Sequence, residues 1–385
     1  MIYESLLVTM TTEIQPTRVE EFIRQMMPGA HGHQTKAVAK FVLAIIDKQT
    51  GCQAELVRSQ GNQEAAARQL SRLIHNPRLK PQNFSRWLCL QVLTSQAPPT
   101  GKVRLTIDWT TEDDQHLLVI SLVVGRRALP IFWQAYSQSV LKGRMKRYEL
   151  AVIKRAFKLI FQHIKPGRLR LTADRGFPDD DLFALLGEWK INFIIRVKGN
   201  VKVWRDGQWS KLNTIRFQGN ARRRNLGRLH YCEKSPRRLW ITMSRARNKN
   251  GKLETWHLVS NLNLRAEAMA QEYGYRFCCE EGFRDAKWYL GFAEARVEKI
   301  DAWSRLFALF AIALLVLTVL GTTLLLRGGA DAQHLLRRVI SRRRGRCELS
   351  LIAAIIALVQ KDRSLFAALS PQIKLNLEAT LSNVS

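Results

Sequence analysis

Apolar residues in the first hundred positions recur at three- and four-residue spacing. "RVEEFIRQMM", "TKAVAKFVLAIIDKQ" and "NQEAAARQLSRLIHN" each carry such a stripe, and Gly or Pro separates them. That period is the signature of amphipathic helices, so residues 1–97 are expected to form a helical region. "SQAPPTGK", Ser95 to Lys102, interrupts the pattern and marks a boundary. Beyond it the period changes to two. "KVRLTIDWT" alternates apolar and polar residues, and its strand is expected to end at Asp108. "QHLLVISLVVG" and "RALPIFWQAY" are apolar, β-branched and aromatic runs joined by a turn. A helix from about Arg144 to Ile164 then leads into the strand "RLRLTADRGF", which stops at Asp174. "PDDDLFALLGEW" opens with Pro and acids, as helix starts do, and "INFIIRVKGN" is a further strand. The order βββαβαβ describes a mixed sheet covered by helices, an α/β fold over residues 98–200.

Residues 201–262 have another texture. "VKVWRDGQWSKL", "RRLWITMSRAR" and "ETWHLVSNL" are short strand-like pieces, broken by Gly and dense in Arg and Lys. This segment reads as a β-rich insertion, after which helix returns over 263–327. A second helical region with a basic start occupies 328–385. Leu306 to Leu326 carries no charge over 21 residues. Such a run is long enough to cross a bilayer, or to form a helix buried on all sides. Arg305 and Arg327 flank it, so positive charge at both ends assigns no orientation.

Composition sharpens the picture through charge alone. Among 385 residues, 61 Lys and Arg face 32 Asp and Glu, a net charge of +29. A compact chain repels itself at that charge unless a polyanion neutralises it, and nucleic acid is the obvious one. "RRR" at Arg222–Arg224 and "RRRGR" at Arg342–Arg346 are candidate phosphate contacts or solvated surface. The six cysteines have no CxxC spacing and include the adjacent pair Cys278–Cys279. This argues for free thiols in a reducing cytoplasm rather than a zinc finger or disulfide framework. No basic-plus-apolar leader opens the chain, although Met10 as well as Met1 is a candidate start. His31 and His33 read as loop residues.

Two acids stand out at strand ends, Asp108 and Asp174. Carboxylates on neighbouring strands, joined by a third, make a hard-oxygen site suited to Mg²⁺ or Mn²⁺. Each taken alone is equally a residue capping a turn. In "YGYRFCCEEGFRDAK", 100° per residue puts Tyr273, Arg276, Glu280 and Lys287 within an arc of roughly 60° on one helix. An acid flanked by two cations and a phenol suits a scissile phosphate held at a metal. The same residues also describe an ion-paired solvated face.

The spacing Y-x2-R-x3-E-x6-K resembles the signature of bacterial insertion-sequence transposases of the Y-R-E-K branch. These are DDE enzymes with an RNase H-like catalytic domain. "DRGF" at Asp174–Phe177 resembles the family's second-acid block, with the aromatic residue one position early. The resemblance implies a catalytic triad of Asp108, Asp174 and Glu280 holding two Mg²⁺ or Mn²⁺ ions. In-line displacement there would nick the element's ends and join the free 3′-hydroxyl to target DNA. It implies DNA contacts at Tyr273, Arg276 and Lys287, at Arg196 and Lys198 of "FIIRVKGN", and at Trp256 of "WHLVSN". It further implies double-stranded terminal repeats and target DNA as partners, a homodimer pairing two ends, and a cytoplasmic rather than membrane location. A hairpin intermediate at the element end is a family variant. A catalytically inactive repressor is the alternative reading of the same sequence.

Overall fold

The computed structural model describes residues 18–125, 127–247, 251–340 and 350–369. Met1, Met10, Cys347 and the basic run Arg342–Arg346 lie outside the described residues. Five helices open the fold: α1 (18–26), α2 (Gly32–Lys48), α3 (Gln53–Arg58), α4 (Gln63–His75) and α5 (Pro81–Gln96). Local chemistry places their starts. The Asn62 side chain accepts the Ala65 N–H at 2.9 Å, and Pro81 stands at the first position of α5. His31 precedes α2 with extended backbone, as a loop residue does, whereas His33 lies in the helix's first turn, and their rings stack 5.5 Å apart.

One ten-stranded sheet organises the rest. Its strands are β1 (Val103–Glu112), β2 (Gln115–Val124), β3 (Arg127–Ser137), β4 (Leu169–Ala173), β5 (Asn192–Val197), β6 (Lys202–Arg205), β7 (Gln208–Lys211), β8 (Arg223–Tyr231), β9 (Arg237–Arg247) and β10 (Leu253–Ser260). They lie in the order β3-β2-β1-β4-β5-β10-β9-β8-β6-β7. β1, β4 and β5 are parallel, and the hairpins on either side of them are antiparallel. Between β3 and β4 run α6 (Gln138–Leu141) and α7 (Met145–Ile160), and α8 (Asp180–Glu188) links β4 to β5. This is the mixed α/β arrangement that the sequence pattern implied, and it is consistent with the RNase H-like domain that the family resemblance implied.

One expectation changes. β1 does not stop at Asp108 but continues to Glu112, because β2 goes on pairing with it after β4 has ended. The β-rich segment 201–262 extends the same sheet, because β10 pairs with β5 and carries its strands on. β8 went unread in the sequence because its arginines looked like a charge cluster, whereas its pairing with β9 makes it a strand.

After the sheet come α9 (Ala266–Gly274), α10 (Phe277–Arg284), a single π-helical turn (Asp285–Tyr289), α11 (Ile300–Arg327), α12 (Ala330–Ile340) and α13 (Leu351–Lys361). The apolar run forms α11, the one helix among the described residues that is long and apolar enough to cross a membrane. Every residue from Ala302 to Leu325 is buried, against α2, α4, α5, α12, α13 and β3. A span facing lipid would leave one side bare of protein, and this helix leaves none. Its entry is fixed by polar bonds: buried Arg305 donates to the Ile74 carbonyl at 2.9 Å and also to that of Leu79, while Trp133 donates to Ser304 Oγ at 3.1 Å.

α10 lies close on β3 because Gly282 has no side chain. A Cβ there would stand 2.7 Å from the Ala128 carbonyl oxygen, which belongs to backbone and cannot swing aside. We expect Gly282→Ala to lower stability by about 1–3 kcal/mol through overpacking. Gly274→Ala, whose Cβ meets nothing within 4 Å, should leave stability unchanged or raise it; thermal denaturation of the two variants checks the contrast.

Candidate active site

The alternation of β1 generates the site. Arg104, Thr106, Asp108, Thr110 and Glu112 point to one face, and α9, α10 and the π-turn run along that face. Glu272 meets Arg104, Arg276 meets Asp108 and Lys287 meets Glu112. Parallel register aligns β1 with β4 as far as Ile107 and Ala173. Asp108 and Asp174 are each the next residue, so they leave adjacent strands at the same level, about 4.8 Å apart in the sheet.

Asp108 is mostly buried. Its Oδ1 accepts the Trp109 N–H at 2.9 Å, and its Oδ2 accepts Arg276 Nη1 at 3.0 Å. The other Arg276 amino group binds Glu280, so one buried guanidinium joins an acid of the sheet to an acid of α10. Asp174 accepts the Tyr273 hydroxyl at 3.2 Å, and its carbonyl takes the Phe177 N–H at 3.0 Å to close the "DRGF" turn. Burial pushes the Asp108 carboxyl up to about 6; Arg276 opposes this, while the negative charges of Asp174 and Glu280 add to it. Burial likewise raises the Tyr273 phenol, which stays a neutral donor. Glu280 is half exposed, facing the open side.

One continuous helix from Tyr273 to Lys287 does not form. α9 ends at Gly274, and the π-turn closes an i→i+5 bond from Leu290 N–H to the Asp285 carbonyl at 3.0 Å. Lys287 is thereby turned toward the end of β1, where it donates to the Thr111 carbonyl at 2.9 Å and pairs with Glu112. Tyr273, Arg276 and Glu280 remain together at the two aspartates. Trp256 of β10 packs on Tyr273 and Phe277, with ring centroids 5.4 and 5.5 Å apart. Its indole N–H donates to Glu254, which also pairs with Arg196 at 3.1 Å. Lys198 is exposed just past the end of β5.

Residues 140–316 match the family model described as Transposase DDE domain. Over that stretch the chain is similar to the DDE domain of transposases. The matched stretch takes in Asp174 and the whole Tyr273–Lys287 segment, and begins after β1, so Asp108 joins it through the sheet. No curated protein matches the sequence.

The DDE domain contains a support that sequence reasoning missed. Buried Glu149 of α7 accepts Trp109 Nε1 at 2.8 Å and Lys146 Nζ at 2.7 Å, and Lys146 also donates to the Gly176 carbonyl. Trp109 follows Asp108 and Gly176 lies in the "DRGF" turn, so one carboxylate steadies both acid-bearing segments. Its only sequence signal was an acid on the apolar side of an amphipathic helix. Glu272 does similar work, binding Lys102, Arg104 and Arg170 at 3.0–3.2 Å. Burial acts to raise its carboxyl, but the Arg104 hydrogen bond and the surrounding cations hold it near about 2.

Among the described residues no three His, Cys, Asp or Glu side chains converge as a ready-made metal cage. Arg276 lies between Asp108 and Glu280 in place of such convergence. The donor set nevertheless fits a hard divalent cation. Asp108, Asp174 and Glu280 all offer carboxylate oxygens, and burial keeps the Asp108 carboxyl raised despite its arginine.

The Asp108 shift carries a sign that can be tested. Its folded value, about 6, lies above the unfolded 3.8. The protonated form therefore contributes stability that is complete below about pH 4 and is lost as pH rises through about 6. Asp108→Asn cannot ionise and should lack that decline. Between pH 4 and 7, without metal, the stability difference between variant and wild type should shift in the variant's favour by on the order of 1–3 kcal/mol. Chemical denaturation at stepped pH measures it.

Proposed function

We propose that the protein is a transposase that cleaves DNA strands at the ends of an insertion sequence and transfers them into target DNA, with Asp108, Asp174 and Glu280 as its catalytic acids. The observation that carries this reading is the linkage of these acids by Arg276 and Tyr273 at one end of the sheet, two of the three within the matched DDE domain. Asp108 and Asp174 would hold one divalent cation, Mg²⁺ or Mn²⁺, and Asp108 with Glu280 a second. Bound there, the ions would lower the cost of forming the attacking oxygen nucleophile and of releasing the leaving oxygen.

The chain's own residues do the rest. Asp108 must be ionised to bind a cation, and its buried position raises the energy of that ion until a cation is present. Arg276, which lies between Asp108 and Glu280, would offer its guanidinium fork to phosphate oxygens. Tyr273 keeps its proton and orients Asp174 through the hydroxyl hydrogen bond. Trp256 packs against Tyr273 and, with Arg196 and Lys198, would line the path of the DNA end. Lys287 takes backbone phosphate beyond the end of β1.

Domain roles follow the same logic. The N-terminal helices, residues 1–97, would hold the terminal repeat, and the insertion, 201–262, offers Arg222–Arg224 to the phosphate backbone. Two copies would pair two ends, in the cytoplasm at the nucleoid, with 328–385 contributing to the dimer. Cleavage through a hairpin is compatible with an aromatic cluster beside the acids.

Glu280→Gln should reduce Mg²⁺-dependent nicking of DNA bearing the element's ends by more than about 100-fold. Binding of that DNA and the melting temperature should stay near wild type, because the Glu280 side chain is 52% exposed. Nicking assays beside gel-shift and melting curves decide it. Nicking that survives the substitution sinks the assignment, and DNA binding without nicking in the wild type indicates a repressor.

A further inference from the structure

Trp288 is the most exposed large apolar side chain among the described residues, 80% accessible where Trp204 is 41%. Its setting is rigid. It lies in the π-turn Asp285–Tyr289, whose Asp285 and Ala286 are buried. Asp285 is held by Ser350 at 2.9 Å and by Arg127 at 3.5 Å, and the preceding Lys287 is fixed to the end of β1. A tryptophan presents on the order of 150–250 Å² of surface, and here an anchored turn holds most of it in water. The extra residue of a π-turn re-aims the side chains that follow, a device common at functional sites.

We propose that Trp288 is a stacking platform for an unpaired base of the DNA strand held at Asp108, Asp174 and Glu280. The inference rests on the function proposed above and adds a contact to it. Thr111, which anchors Lys287, is three residues along β1 from Asp108, or about 10 Å. The turn that carries Trp288 is thus tied, through Lys287, to the same strand that carries Asp108. A base is the occupant the chemistry favours. Arg284 and Lys287 share the ring's segment, paired with Glu281 and Glu112, and the chain as a whole carries +29. No other large apolar side chain between Leu253 and Leu326 is exposed among the described residues. A protein interface needs a contiguous apolar patch; a single exposed ring on a strongly basic chain suits the flat face of a nucleobase, which duplex DNA offers only where pairing is broken.

The test compares full-length wild type, Trp288→Ala and Trp288→Tyr on two probes, a fully paired duplex and the same duplex with a frayed, unpaired end. Fluorescence anisotropy gives Kd and thermal denaturation gives Tm. Trp288→Ala should weaken binding to the frayed probe about 5- to 100-fold and leave the paired duplex and Tm unchanged. Trp288→Tyr should recover most of the loss. An unchanged Kd for the frayed probe, or an equal loss on both probes, overturns stacking. A drop in Tm also overturns it, since the ring would then be packed against the protein. Wild type that nicks DNA while Trp288→Ala binds like wild type refutes only the platform. Wild type that neither binds nor nicks refutes the active-site reading beneath it.

Discussion

The guanidinium of Arg276 is the joint on which the rest of the molecule turns. Asp108 comes from the third strand of the sheet and Glu280 from a helix that crosses it, far along the chain. Their like charges and partial burial would drive them apart without a cation between them. Arg276 binds both, and Tyr273 on the same segment reaches Asp174. Breaking a buried pair of this kind by deleting one partner leaves an unpaired charge inside the protein, which costs far more than the pair contributes. Its Nε is buried without a protein partner, so the side chain keeps one donor uncommitted.

Around that joint the polar face of β1 works as a ladder. Arg104, Asp108 and Glu112 each meet an opposite charge on the segment above, and this fixes the height at which α9, α10 and the π-turn sit. The opposite side is held by Glu149 and Lys146 of α7, which steady the residues following each aspartate. Trp256 and Arg196 belong to strands of the same sheet. The aromatic cluster therefore moves with the acids and not on a separate arm.

Much of this was legible in the residues. The alternating and apolar runs gave β1 to β5 in order, the long apolar run gave α11, and the residues that the Y-x2-R-x3-E-x6-K spacing put on one stripe, Tyr273, Arg276 and Glu280, lie together beside Asp108 and Asp174. What escaped has physical reasons. The stop at Asp108 was misplaced because strand length depends on two neighbours, and β2 continues where β4 does not. Lys287 left its stripe because a π-turn changes the residues per turn, and nothing in "FRDAKWYL" marks such a turn. β8 was hidden because strand pairing, not its own composition, gives it shape. Glu149 was invisible because an isolated acid in a helix reads as surface until its partners come from other segments.

The burial of α11 also has a consequence for how the protein comes into being. Until that helix emerges during synthesis, α2, α4, α5 and β3 have nothing to close over, and α10 has already brought Glu280 to the sheet. A ribosome that stops early would release a chain holding all three acids on an open, sticky layer. Completion of the hydrophobic helix is thus what closes the layer that the acid-bearing sheet rests on.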